Sequence, residues 1–163
     1  MFSNVTFNEG LSYLISNSIC QPSYISLETA LCFHQLILDN APADSFGENS
    51  IHAITKHKTV IYDNDRGIYS YRKIKPEFYF GFDTIEIDGR PIQMANPEKA
   101  LIDFLYFNAN LNSLSKLTNI AWNTQSLAQL NWKKLSSIQL MIGSKALDRR
   151  MDLLKKGLKM TDF

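Results

Sequence analysis

The segment NPEKALIDFLYF, residues 96–107, restricts the fold more than any other stretch of this chain. Asn96 suits an N-cap, because its side-chain oxygen can accept a bond from a backbone N–H left unpaired at a helix start. Pro97 fits the first helical position, where a missing N–H costs nothing. Glu98 sets negative charge beside the positive end of the helix dipole. Ala100, Leu101, Phe104 and Leu105 then form an apolar stripe at helical spacing, and Ile102, Tyr106 and Phe107 widen it until little polar surface remains. Such a helix has to be almost wholly buried. Asp103 lies inside it one turn after Lys99, where it either pairs with that lysine or caps a neighbouring backbone.

The surroundings of that helix follow from the periodicity before and after it. Residues 8–17 carry Leu11, Leu14 and Ile15 at helical spacing. Pro22 interrupts them, and Ser26 stands where it would cap a second helix with Leu27, Ala30 and Leu31 inside. Cys32 on that helix reads as a small buried hydrophobe. Residues 39–50, DNAPADSFGENS, have the composition of a loop. From residue 51 the period shortens. IHAIT, KTVIY and IYSYRKI are β-type runs, with DNDRG as a turn. Phe78, Phe80 and Phe82 alternate like one face of a further strand, with a bend near Gly81 to Thr84. Asp88-Gly89 is a hairpin signal from which RPIQM returns. After residue 107 the pattern is helical again, with breaks near Asn123 and Asn131. In the final KALDRRMDLLKKGLKM, Leu147, Met151, Leu154 and Leu158 make one stripe. This order predicts an α+β fold in a single domain, 1–163. N-terminal helices precede a mainly antiparallel central sheet over about 51–94, and three or four C-terminal helices follow.

Hydrophobic residues at 45% and charged residues at 20% fit an ordinary globular chain and exclude disorder. The net charge of +1 makes no case for a polyanionic partner, but its distribution is uneven: residues 131–163 hold eight Lys and Arg against three acids. There is no signal-peptide pattern and no apolar run of transmembrane length, and Cys20 and Cys32 stand alone. These features point to a cytoplasmic protein without disulfides or membrane contact.

Catalytic patterns are missing. His34, His52 and His57 form no HExxH and no zinc-type spacing, and no nucleophile elbow, P-loop or dinucleotide fingerprint occurs. No metal, cofactor or enzymatic activity is therefore expected. His34, on an apolar helix, reads as a satisfied core or boundary histidine, and Asp83, Glu86 and Asp88 as a solvated hairpin end. Two basic regions remain. Lys56, Lys58, Arg72, Lys73 and Lys75 are interleaved with Tyr62, Tyr69 and Tyr71. They make either a polar sheet face or a surface that holds phosphates and stacks bases. Lys145, Arg149, Arg150, Lys155 and Lys156 form the second region, both arginines projecting to solvent beside the apolar stripe.

Three stretches, PSYISLETALCFHQLI (22–37), YSYRKIKPEFYFGF (69–82) and NPEKALIDFLYF (96–107), resemble in order and spacing the C-terminal domain of the AbiEi antitoxin family of abortive-infection, type IV toxin–antitoxin pairs. The resemblance spans roughly residues 20–155. It implies a non-enzymatic antitoxin that counteracts a nucleotidyltransferase-like toxin without a stable complex, in phage defence. The family also carries an N-terminal winged helix-turn-helix that regulates transcription. Only about twenty residues precede PSYISLETAL, a lead-in helix too short for that module, so specific operator binding is not expected of this chain. The alternative function is a nucleic-acid-binding or transcriptional-regulator module acting through a basic surface, with non-specific nucleic acid as its partner.

Overall fold

A computed structural model describes residues 7–38 and 49–160, so most of the predicted loop at 39–50 lies outside the described residues. The elements are α1 (Phe7–Ile19), β1 (Ser23–Ile25), α2 (Leu27–Phe33), β2 (Ser50–Thr55), β3 (Val60–Asn64), β4 (Gly67–Lys73), β5 (Phe82–Ile87) and β6 (Arg90–Ala95). They are followed by α3 (Pro97–Phe107), α4 (Leu114–Thr118), α5 (Thr124–Ala128), α6 (Trp132–Ile142) and α7 (Lys145–Gly157). The fold is α+β with a C-terminal helical group. That group has five helices among the described residues, because the polar breaks begin new ones: Asn123 caps the Ser126 N–H at 3.2 Å and Asn131 the Lys134 N–H at 3.0 Å.

The six strands form one mixed sheet in the order β3-β4-β2-β1-β6-β5. Three pairings are antiparallel, β1 with β2 and the hairpins β3–β4 and β5–β6. Two are parallel, β1 with β6 and β2 with β4. The two central strands are β2 and β1, and β1 lies outside residues 51–94. It is β1, three residues long and buried throughout, that joins the β2–β4 half to the β5–β6 hairpin.

Alternation along the strands sends the layers to opposite faces. Ile25 is opposite Ala53, which is opposite Tyr71, and this row packs under α1. There Ala53, Tyr69 and Tyr71 cluster with Ile15 and Ile19, and the Tyr71 hydroxyl donates to the Ser16 carbonyl at 2.6 Å. Tyr24 points the other way, toward α3. Helix α3 is enclosed by α2, β6, α6 and α7, with every residue from Glu98 to Leu105 buried.

The Asp88-Gly89 hairpin is present, with φ of 50° and 73°, the left-handed values a two-residue turn of this hand needs. Two local expectations fail. Residues 78–81 are not a strand. Pro76 starts a 3-10 turn, in which the Phe78 N–H donates to the Lys75 carbonyl and the Tyr79 N–H to the Pro76 carbonyl, and β5 begins only at Phe82. Cys32 is exposed, because α2 buries Leu27, Ala30 and Leu31 and the next position turns outward.

Candidate functional site

The three stretches that carry the family resemblance meet at one buried polar centre. Lys99 Nζ lies 2.5 Å from Asp103 Oδ1 and donates to the Tyr24 hydroxyl at 2.9 Å. Asp103 Oδ2 accepts from Tyr24 and from Ser26, each at 2.8 Å. The ammonium also stands over the rings of Tyr24 and Phe80, 5.4 and 5.2 Å from their centroids. Gly81, at φ 79°, covers the lysine stem: a Cβ there would sit 2.8 Å from Lys99 Cγ. Burial pushes the Asp103 carboxyl up from its ordinary value, and Lys99, Ser26 and Tyr24 pull it back. Burial and the neighbouring Asp103 charge together drive the Tyr24 phenol far above its usual range. Lys99 and Asp103 are both fully buried and hydrogen-bonded, so this centre holds the sheet to α3 and offers nothing for a substrate to reach. Ser26 accordingly departs from its expected role. Its hydroxyl turns to Asp103 and makes no cap bond to α2.

Two further polar groups secure α3. Glu98 accepts from the Asn131 N–H at 3.0 Å and from Lys134 Nζ at 3.2 Å. Its burial favours the neutral acid, but these donors outweigh that and hold the carboxyl below its ordinary value. His34 Nε2 lies 2.6 Å from the Ala95 carbonyl, and burial lowers the imidazole pKa despite that bond.

The first basic region assembles at one end of the sheet. Parallel pairing of β2 with β4 sets Ile54 beside Arg72 and Thr55 beside Lys73, so the segments that follow both strands leave the sheet at the same end, with Arg72 and Lys73 on opposite faces by alternation. Lys56, Lys58, Arg72, Lys73 and Lys75 are all exposed. The loop between β2 and β3 is tied down. Thr55 Oγ1 donates to the Pro22 carbonyl at 2.9 Å, His57 Nε2 lies 2.8 Å from the Gln21 carbonyl, and the Lys73 N–H donates to Thr59 at 3.1 Å. Lys56 stands over the Tyr79 ring at 5.1 Å and Lys75 over Phe78 at 5.7 Å. Asp63 and Asp65 lie at the opposite end of β3, by its turn into β4. Tyr69 and Tyr71 are core residues under α1, whereas Tyr62 stays partly open on the edge strand.

The second basic region does not stay together. Arg150 is buried, not solvent-facing, and its Nη1 donates to the Leu105 and Tyr106 carbonyls at 2.7 and 3.1 Å, where α3 ends. Position 150 is three residues after Leu147 and four before Leu154, which puts it on the buried side of α7. Lys155 is half-buried over the Trp132 ring at 5.3 Å. Lys145, Arg149 and Lys156 share their face with Asp148 and Asp152 around a shallow open concavity of about 420 Å³. A single helix supplies its whole lining, so no groups converge on it from different elements.

Among the described residues no group of three or more His, Cys, Asp or Glu side chains could hold a metal ion, and no helix is long and apolar enough to cross a membrane. The sequence carried the Lys99–Asp103 pair but not its partners Tyr24 and Ser26, which come from more than seventy positions away. A comparison of the chain with protein-family models, curated proteins and solved structures finds no match to any of them.

Proposed function

We propose that this chain is a non-enzymatic antitoxin domain of the AbiEi kind that restrains a nucleotidyltransferase-like toxin, and that it acts through the cationic end of the sheet. One observation carries the reading. Each of the three stretches behind the resemblance contributes to the same buried centre: Tyr24 and Ser26 from the first, Phe80 and Gly81 from the second, Lys99 and Asp103 from the third. Residues that must meet to close one core form a physical reason for the three to occur together. The buried pair is framework, and among the two basic regions only the sheet end keeps its five cations exposed and out of ion pairs.

The test is growth rescue, with the chain co-expressed beside the product of the neighbouring gene, which the proposal expects to be a nucleotidyltransferase-like toxin. The native chain is expected to restore growth. A variant with Lys58→Glu, Arg72→Glu and Lys73→Glu that retains the native circular dichroism spectrum is expected to lose rescue. Toxin-arrested cells that stay arrested with the native chain would end the antitoxin reading.

A further inference from the structure

We infer that the ligand of the sheet end is the phosphate backbone of a nucleic acid, bound through Lys56, Lys58, Arg72, Lys73 and Lys75; the site's role in antitoxicity rests on the preceding reading, but the binding itself does not. Four features lead there. Segments 56–60 and 72–79 hold these five cations against the single acid Glu77. Among the described residues none of the five is in an ion pair, and Lys56 and Lys75 make only cation–π contacts, with Tyr79 and Phe78. The loop that carries Lys56 and Lys58 is anchored on one side to the Gln21 and Pro22 carbonyls and on the other to β4, which fixes the backbone that presents these lysines before a ligand arrives.

The fourth feature separates a nucleic acid from an acidic protein. A protein interface needs an apolar centre within its polar rim. Here residues 56–59 and 72–77 present only polar groups and Pro76 to solvent, since Ile74 is buried. The exposed apolar side chains of the neighbouring strand, Ile61 and Tyr62, lie farther along β3, and the half-buried Tyr79 ring lies under Lys56. Phosphates need cations and little else, and lysines meet them as point charges without a shaped pocket. With Tyr69 and Tyr71 committed to the core, base stacking adds little, so binding is expected to be indifferent to sequence.

The experiment is fluorescence anisotropy with a fluorescein-labelled oligouridine of about twelve nucleotides, within the usual site size for single strands. If about four phosphates are neutralised, affinity should fall roughly 50-fold between about 50 and about 200 mM salt, because a slope near 0.7 per phosphate is expected for single strands. Lys58→Glu/Arg72→Glu/Lys73→Glu should weaken binding at low salt at least ~tenfold. The corresponding glutamine variant should weaken it less, and Lys145→Glu/Lys156→Glu on α7 should leave it unchanged. No binding at low salt, salt-independent binding, or equal loss in the sheet-end and α7 variants would overturn the assignment. So would capture of the purified toxin by the sheet end when no RNA is bound, which would make the ligand an acidic protein face. Growth rescue is scored separately: binding intact with rescue absent would support the ligand and reject only the antitoxin reading.

Discussion

The sheet end and helix α7 begin with the same raw material, five cations within a short span, and end with opposite fates. On α7 each residue turns about 100°, so neighbours diverge. Arg150 swings inward to the carbonyls that end α3, Lys155 lies on Trp132, and the rest alternate with aspartates. Lys134, from the same basic segment, pairs with Glu98 at the other end of α3. Two of the eight C-terminal cations, Lys134 and Arg150, thus clamp α3 at its two ends, Arg150 at the carbonyl end in the sense that complements the helix dipole. At the sheet end, parallel register gathers cations from two separate segments; Lys56 and Lys75 lie on the rings of Tyr79 and Phe78, and among the described residues none of the five is in an ion pair. Counting charges along a chain does not distinguish these cases. Their pairing and periodicity do.

The comparison breaks most sharply at adjacent arginines. Arg150→Glu would aim a buried carboxylate at two carbonyls and is expected to cost about 3–5 kcal/mol, the range for an uncompensated buried charge. Arg149→Glu beside it should change stability by less than about 0.5 kcal/mol. Urea unfolding of both variants checks the pair, and equal effects would mean that α7 is rotated from its assigned face. Removing the Lys134 ammonium by Lys134→Ala should cost up to about 1 kcal/mol, since that side chain is partly solvated. Glu98 is held below its ordinary pKa in the folded chain, so its contribution is present above about pH 4.5 and fades as pH falls through the depressed value. Acid titrations of thermal stability should therefore be flatter in Glu98→Gln than in the native chain. Lys155→Ala should cost about 0.5–1 kcal/mol through the lost contact with Trp132, read from the thermal midpoint. Smallest of all, single glutamine substitutions at Lys58, Arg72 or Lys73 should each shift stability by less than about 0.5 kcal/mol, as expected of cations with no internal partner. A marked loss at any of them would mean that the sheet end is framework after all.

Features that depend on near neighbours were legible from the sequence. Asn96 does cap α3, the Asp88-Gly89 turn forms, and Lys99 finds Asp103 one turn away. What was not legible depends on distant partners or on very short elements. Three residues cannot display a period, so β1 passed as an interruption although it is one of the two central strands of the sheet. The alternation of Phe78, Phe80 and Phe82 imitated a strand where Pro76 and the carbonyls before it impose a turn. Arg150 looked solvent-bound because its charge outweighed its position beside Leu147 and Leu154, and the carbonyls that receive it are some 45 positions away. For the sheet-end cluster, the missing information was the β2–β4 register, since both segments were visible but their adjacency was not.

The seal that Gly81 places over the Lys99 stem has a practical consequence. With the ammonium fully enclosed and no route for even a small acylating reagent, native-state chemistry at this amine has to wait for the surrounding layers to separate. Those layers are the sheet and α3, which Tyr24 and Ser26 tie to Asp103, so exposure of Lys99 is expected to follow their separation, and a rate equal to that of global unfolding is the outcome that would establish it. The chain therefore carries an intrinsic unfolding probe. Lys58 and Lys73 should acylate at once, whereas Lys99 should acylate at a rate set by global opening, and the ratio of the two read by mass spectrometry would report the stability of the fold without a label or a denaturant.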